Sequence, residues 1–225
     1  MKFGYFSDES LPESAHGYRC ASWDAVPDGR KNVVVLGCSH TWGVGLEDDQ
    51  HWVHYLSKHN TDRLRYWNLG QPGASADLVV RILYGCEKTI NPNIIIACWP
   101  LWSRRERLTD APESLTGDAT ELRIENEETD KNNFLKNVFL MEKFAQKNRC
   151  VTFHCFAEDS YEQHITGLNV LKKHTLRNCW PHWDRFEQRV PHDKPDLASD
   201  GKHFGEQHHK RFAELFLNYF GKKLK

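Results

Sequence analysis

The stretch Asn32 to Leu36 reads Asn-Val-Val-Val-Leu and stops at Gly37. A β-branched run this short, with no polar alternation, suits a strand covered on both faces, as in a parallel sheet between helical layers. Asn93 to Cys98 (Asn-Ile-Ile-Ile-Ala-Cys) repeats the signal, and Leu64 to Leu69 and Cys150 to Phe156 are further strand candidates. Helical patterns fall between them. His51 to Lys58 suits a short helix, and Ser75 suits an N-cap before Leu78, Val79, Ile82, Leu83, Cys86 and Ile90. Asn133 to Lys147 puts Phe134, Leu135, Val138, Phe139 and Phe144 on one face, and 161–174 is a further candidate. From Gly205 onward, Phe212, Leu215, Phe216 and Tyr219 share a helical face. Strands alternating with helices predict an α/β domain around a mainly parallel sheet.

A chain of 225 residues with 39% hydrophobic residues suffices for one domain with one core. Residues 1–30 lack periodicity and are expected to form an irregular N-terminal extension. The acidic stretch from about 104 to 130 reads as a surface insertion, and 176–202 mainly as loop. A net charge of -1 argues against a nucleic-acid partner held by bulk positive charge. No apolar run could span a bilayer, and the first twenty residues lack the apolar core of a signal peptide, so a cytoplasmic protein without a membrane partner is expected. The seven cysteines are odd in number and show no repeated pair spacing, which favours reduced thiols over a disulfide framework.

The first strand candidate runs directly into Gly37-Cys38-Ser39-His40-Thr41-Trp42-Gly43-Val44-Gly45. In open parallel sheets ligands bind beyond the carboxyl ends of strands, so Ser39 stands where a functional serine would. The loop matches no cofactor fingerprint. No lysine follows Gly43 as a Walker loop requires, Asp48 stands where a dinucleotide loop has its third glycine, and Thr41 breaks the G-x-S-x-G elbow. No cofactor is expected. Far downstream lies Asp200-Gly201-Lys202-His203. A serine hydroxyl becomes a competent nucleophile when an imidazole accepts its proton, and that imidazole needs an acceptor on its other nitrogen. An aspartate three residues before the histidine can supply it if the loop curls back.

Taken together, these segments resemble the SGNH (GDSL-like) hydrolases. Gly37-Cys38-Ser39 and the residues after it resemble the family's first block. Asn68-Leu69-Gly70-Gln71-Pro72-Gly73-Ala74-Ser75 resembles the second, and Asp200-Gly201-Lys202-His203-Phe204 the last. The resemblance spans about residues 32–220. It implies a three-layer α/β/α fold of the flavodoxin-like type and acyl transfer through an ester on Ser39. His203 is then general base and acid, with Asp200 orienting it, and the N–H groups of Ser39 and Gly73 hold the oxyanion. By family analogy the expected substrate is a small or carbohydrate ester bearing a short acyl group such as acetyl. An acyltransferase on the same scaffold and a non-catalytic binding protein are the alternatives.

Two positions depart from the family pattern. Cys38 replaces the aspartate of G-D-S and reads as a packing residue rather than a rival nucleophile. The family's third-block asparagine, an oxyanion donor, has no counterpart in Cys98-Trp99-Pro100-Leu101-Trp102-Ser103-Arg104-Arg105-Glu106. Ser103, Arg104 and Arg105 are the local donors that could replace it. Either arginine could instead bind a substrate carboxylate or phosphate, or pair with a nearby acid. Trp99, Trp102, Trp180 and Trp183 could stack on sugar rings or simply pack. Cys150, His154 and Cys155 lie in a strand pattern with no partner cluster, so no metal site is expected. His208 and His209 read as a solvated helix face.

Overall fold

The computed structural model describes residues 17–20, 28–107, 113–114, 127–156 and 196–224. Strand β1 (Lys31–Gly37) is followed by the single-turn helix α1 (Ser39–Trp42) and by α2 (Trp52–Ser57). Next come β2 (Leu64–Asn68), α3 (Ala76–Gly85), α4 (Glu87–Ile90) and β3 (Ile94–Trp99). A two-residue ladder joins β4 (Glu106–Arg107) to β5 (Glu113–Ser114), before α5 (Glu127–Asn148), β6 (Val151–Phe156) and α6 (Glu206–Phe220). The main sheet runs β2-β1-β3-β6, all parallel.

Alternation along the buried strands builds the two faces. Val34, Leu36, Ile95 and Ala97 point toward α3 and α5, where they meet Leu78, Val79, Ile82, Phe134, Val138 and Phe144. Val33, Val35, Ile94 and Ile96 point the other way, onto Trp52 and Leu56 of α2 and Phe212 and Phe216 of α6. The result is the expected three-layer α/β/α arrangement. Edge-to-face packing of Trp52 on Phe212, with ring centroids 4.8 Å apart, fastens the second layer. Truncating a fully buried phenylalanine such as Phe212 costs about 3–5 kcal/mol.

Short-range signals correspond to local structure at several points. Ser75 caps α3, its Oγ accepting the Leu78 N–H at 3.2 Å. The helix expected at Asn133 begins earlier, at Glu127, and Asp130 is buried in it rather than on a surface excursion. Phe139 lies on its exposed side, and Tyr219 of α6 is 66% exposed, because the buried stripe of α6 runs through His209, Phe212, Phe216 and Phe220. The helix expected over 161–174, the loop 176–195 and Trp180 and Trp183 lie outside the described residues. So does most of the expected insertion.

The described residues 17–20 of the N-terminal segment pack against the domain. Tyr18 is fully buried in the α3/α5 layer, and Gly17 O accepts the Gln71 side-chain amide at 2.8 Å.

Candidate active site

The chain leaves β1 on one side to form β2 and returns on the other to form β3, so the order of strands reverses between β1 and β3. Gly37 is in register with Cys98, which brings the loops that follow β1 and β3 side by side at the carboxyl edge. Ser39 opens the first loop, and Ser103 and Arg104 lie on the second.

Gly70 explains how the second sequence block reaches this edge. A Cβ at Gly70 would lie 2.5 Å from Trp42 N, so only glycine lets the β2 loop pass against α1. The buried amide of Asn68 locks that approach. It donates to Thr41 O at 2.9 Å and accepts the Gly70 N–H at 3.1 Å. Gln71 to Ala74 then makes a turn closed by Ala74 N–H to Gln71 O at 3.0 Å, with Gly73 at φ 74°. Pro72 followed by a glycine of positive φ is the signature of a type II turn.

The last block folds as a tight hairpin-like loop. Leu197 and Phe204 form an antiparallel bridge, and Ala198 N–H donates to His203 O at 2.9 Å. Asp200 Oδ1 accepts the N–H groups of Lys202 and His203, each at 3.0 Å, and Oδ2 contacts His203 Nδ1. Partial burial pushes the Asp200 carboxyl up, but these hydrogen bonds outweigh it and hold it down at about 2. The loop curls back as the sequence reading requires: Asp200, an anion, is bonded to Nδ1, so Nε2 is the ring nitrogen of His203 that it leaves open.

This pair sits beside the residue next to Ser39. The His40 and His203 rings meet edge to face at 5.6 Å, and His40 also lies 5.6 Å from the Phe204 ring. Burial, aided by the charges of His203 and Arg104, holds His40 down at about 3, so it is neutral. The backbone completes the junction. Gly45 O accepts the Ser199 N–H at 3.0 Å and its hydroxyl at 2.9 Å. Ser39 itself is 9% exposed, and no hydrogen bond joins its Oγ to His203.

Cys38 is buried with Leu36 and Trp99, and burial raises its thiol pKa, which suits a packing residue. The two arginines after β3 part company. Arg105 Nε is bound to Asp130, which is buried in α5. Arg104 has no acidic partner among the described residues, and its charge bears on Cys38 and His40, the two neighbours of Ser39. Ser103 is half-buried in the turn closed by Arg104 N–H to Leu101 O at 3.1 Å.

Other candidates resolve into packing. Trp99 is fully buried and donates its indole N–H to His154 Nδ1 at 2.9 Å, so it offers no stacking face. His154 Nε2 meets Glu142 at 2.7 Å, which uses both ring nitrogens. Trp102 is half-buried, with the Lys131 ammonium 5.4 Å from its ring centroid. His208 and His209, expected on a solvated face, are 8% and 1% exposed. His208 Nδ1 contacts Asp196 Oδ1 at 2.8 Å, and His209 Nδ1 accepts the Trp52 N–H at 3.1 Å. A residue whose part the sequence did not reveal is Asp196, which accepts the Gln207 N–H at 2.7 Å and so satisfies a donor at the start of α6.

No protein-family model and no curated protein matches this sequence. Solved structures do. TesA superposes with a TM-score of 0.59 at 16% identity, over 87% of this chain and 100% of that one. A member of the lipolytic protein G-D-S-L family from Veillonella parvula gives 0.56 at 14% identity, over 85% and 99%. The acetyl xylan esterase AlAXEase gives 0.54 at 14% identity, over 84% and 98%. No helix among the described residues is long and apolar enough to cross a membrane. The chain has the three-layer SGNH (GDSL-like) hydrolase fold.

Proposed function

We propose that the protein is a serine ester hydrolase working through an acyl-enzyme on Ser39. The observation that carries this reading is the Asp200–His203 pair, hydrogen-bonded at Nδ1 and held against the loop that follows Ser39. The Ser39 hydroxyl adds to the ester carbonyl carbon while its proton passes to His203 Nε2. Asp200 keeps the opposing N–H in place and stabilises the imidazolium. The oxyanion takes hydrogen bonds from the N–H groups of Ser39 and Gly73. Its collapse breaks the bond to the alcohol, which leaves with the proton from His203. A water then repeats the sequence on the acyl-serine, releasing the acid and free Ser39.

The third oxyanion donor falls to Arg104. Arg105 is committed to Asp130, while the Arg104 charge is uncompensated among the described residues and bears on both neighbours of Ser39. A donor of this kind contributes about 3–4 kcal/mol to the transition state. Ser103, one residue away, contributes to substrate contact. The substrate is a small or carbohydrate ester with a short acyl group such as acetyl, a reading supported by the likeness to an acetyl xylan esterase.

The test is labelling with a fluorophosphonate probe together with hydrolysis of a short-chain aryl ester, comparing wild type with Ser39→Ala. Labelling and turnover present in wild type and lost in Ser39→Ala are expected. Identical behaviour of the two proteins removes the hydrolase reading.

A further inference from the structure

The arginine of the N-terminal segment reaches the active-site loop from outside it. Arg19 is 8% exposed, and its guanidinium spreads over four acceptors. Nη1 donates to Gly43 O at 2.7 Å and to Trp42 O at 3.3 Å. Nη2 donates to Leu46 O, and Nε to Asp48 Oδ1 at 2.6 Å. These acceptors bracket both ends of the loop that links α1 to α2.

That loop needs bracing. Helix α1 is one turn long, so its last carbonyls have no helical partner. Gly43 and Gly45 both have positive φ, at 84° and 77°, and glycine there leaves the free chain many alternatives. Yet Gly45 O is the acceptor for Ser199, the residue before Asp200. Any drift of the loop moves the acid–base pair relative to Ser39. Arg19 is itself anchored by Tyr18, fully buried beside it, and by the Gln71 bond to Gly17 O. A planar fork of five donors can hold carbonyls on both sides of a loop at once, which a single ammonium cannot.

We propose that Arg19 is a positioning residue for the hydrolytic site: its guanidinium fixes the 42–48 loop and, through Gly45 and Ser199, the placement of Asp200 and His203 relative to Ser39. This rests on the hydrolase reading above and adds to it a part of the chain outside the three family-like blocks.

The experiment compares Arg19→Ala and Arg19→Lys with wild type, and uses Arg30→Ala as a control. Arg30 lies before β1, at the far edge of the sheet, paired with the exposed Asp28. Expected is a loss of kcat of about tenfold or more in both Arg19 variants, with KM nearly unchanged, since a misplacement of about 1 Å can cost a hundredfold. Guanidinium ion at millimolar concentration restores turnover in Arg19→Ala and leaves Arg19→Lys as it was. Arg30→Ala keeps wild-type kcat. Wild-type kcat in Arg19→Lys, a change confined to KM, or no response of Arg19→Ala to guanidinium would overturn the proposal. Should Arg19→Ala not fold, Arg19→Lys decides it by kcat. If wild type shows no turnover or labelling, the hydrolase reading fails, and hydrogen exchange at the Ser199 amide tests the brace alone. Faster exchange in Arg19→Lys, with β1 amides unchanged, supports it; equal exchange overturns it.

Discussion

Gly45 O accepts both the backbone N–H and the hydroxyl of Ser199, at 3.0 and 2.9 Å. Two loops far apart in the sequence are thereby joined one residue short of Asp200. A side chain at Gly45 would break this junction. Its Cβ would lie 2.8 Å from the Ala198 Cβ and 3.2 Å from Asp200 N, at a φ of 77°. Gly45→Ala is expected to destabilise by about 1–3 kcal/mol through backbone strain. Its kcat should fall by more than its urea midpoint suggests, and a variant with wild-type kcat would show that the junction does not position the pair.

Asp200→Asn separates the turn from the tautomer. The asparagine oxygen can still accept the N–H groups of Lys202 and His203, so the loop should keep its shape. Its amide nitrogen donates where the carboxylate accepted, which favours the imidazole with its proton on the wrong nitrogen. A kcat reduction of about 10³–10⁴ with little change in melting temperature is expected. Steady-state kinetics beside thermal denaturation distinguishes this from simple unfolding.

Arg104→Ala and Arg105→Ala should fail in different assays. Loss of Arg105 strands the buried Asp130 carboxylate and should cost about 1–3 kcal/mol of stability. Loss of Arg104 should leave stability alone and lower kcat by about 10²–10³ with little effect on KM. An effect of Arg104→Ala confined to KM would instead make it an ordinary substrate contact.

Buried histidines set the acid limit. His51 is held down at about 3 by burial and by the Arg19 charge, and burial depresses His209 well below its ordinary value. Between pH 6.5 and about 3 the unfolded chain therefore binds protons that the folded chain refuses. Stability should be fully present above about pH 7 and fall with acidification, by about 1.4 kcal/mol per pH unit for each such histidine. Urea midpoints at pH 7.5, 6 and 5 test this. His209→Asn, whose oxygen can take the Trp52 N–H, should flatten the slope by about one proton. An unchanged slope would exclude His209 as a contributor.

Some elements were legible from residue type and short-range spacing, while the faces of α5 and α6 were misread for a physical reason. The helix cap at Ser75 and the four strands follow from residue type and short-range spacing. His208 and His209 misled because helical periodicity gives the angle of a residue but not the layer it faces, and α6 turns both histidines inward. Arg19 left no trace because its acceptors are mainly backbone carbonyls 23 to 27 positions away, and carbonyls have no sequence signature.

The sequence by itself determined the sheet, since β-branched runs without alternation have no stable place except between two apolar layers. It also pointed to Ser39 and the Asp200–His203 loop as candidate site segments. Only the tertiary structure decided that His203 comes to lie beside His40, that Arg105 is taken by Asp130 while Arg104 is not, and that Arg19 braces the loop after α1. The contact between Gly45 and Ser199 spans 154 positions. Contacts at that range are fixed by how the finished layers pack, and no local pattern of residues encodes them.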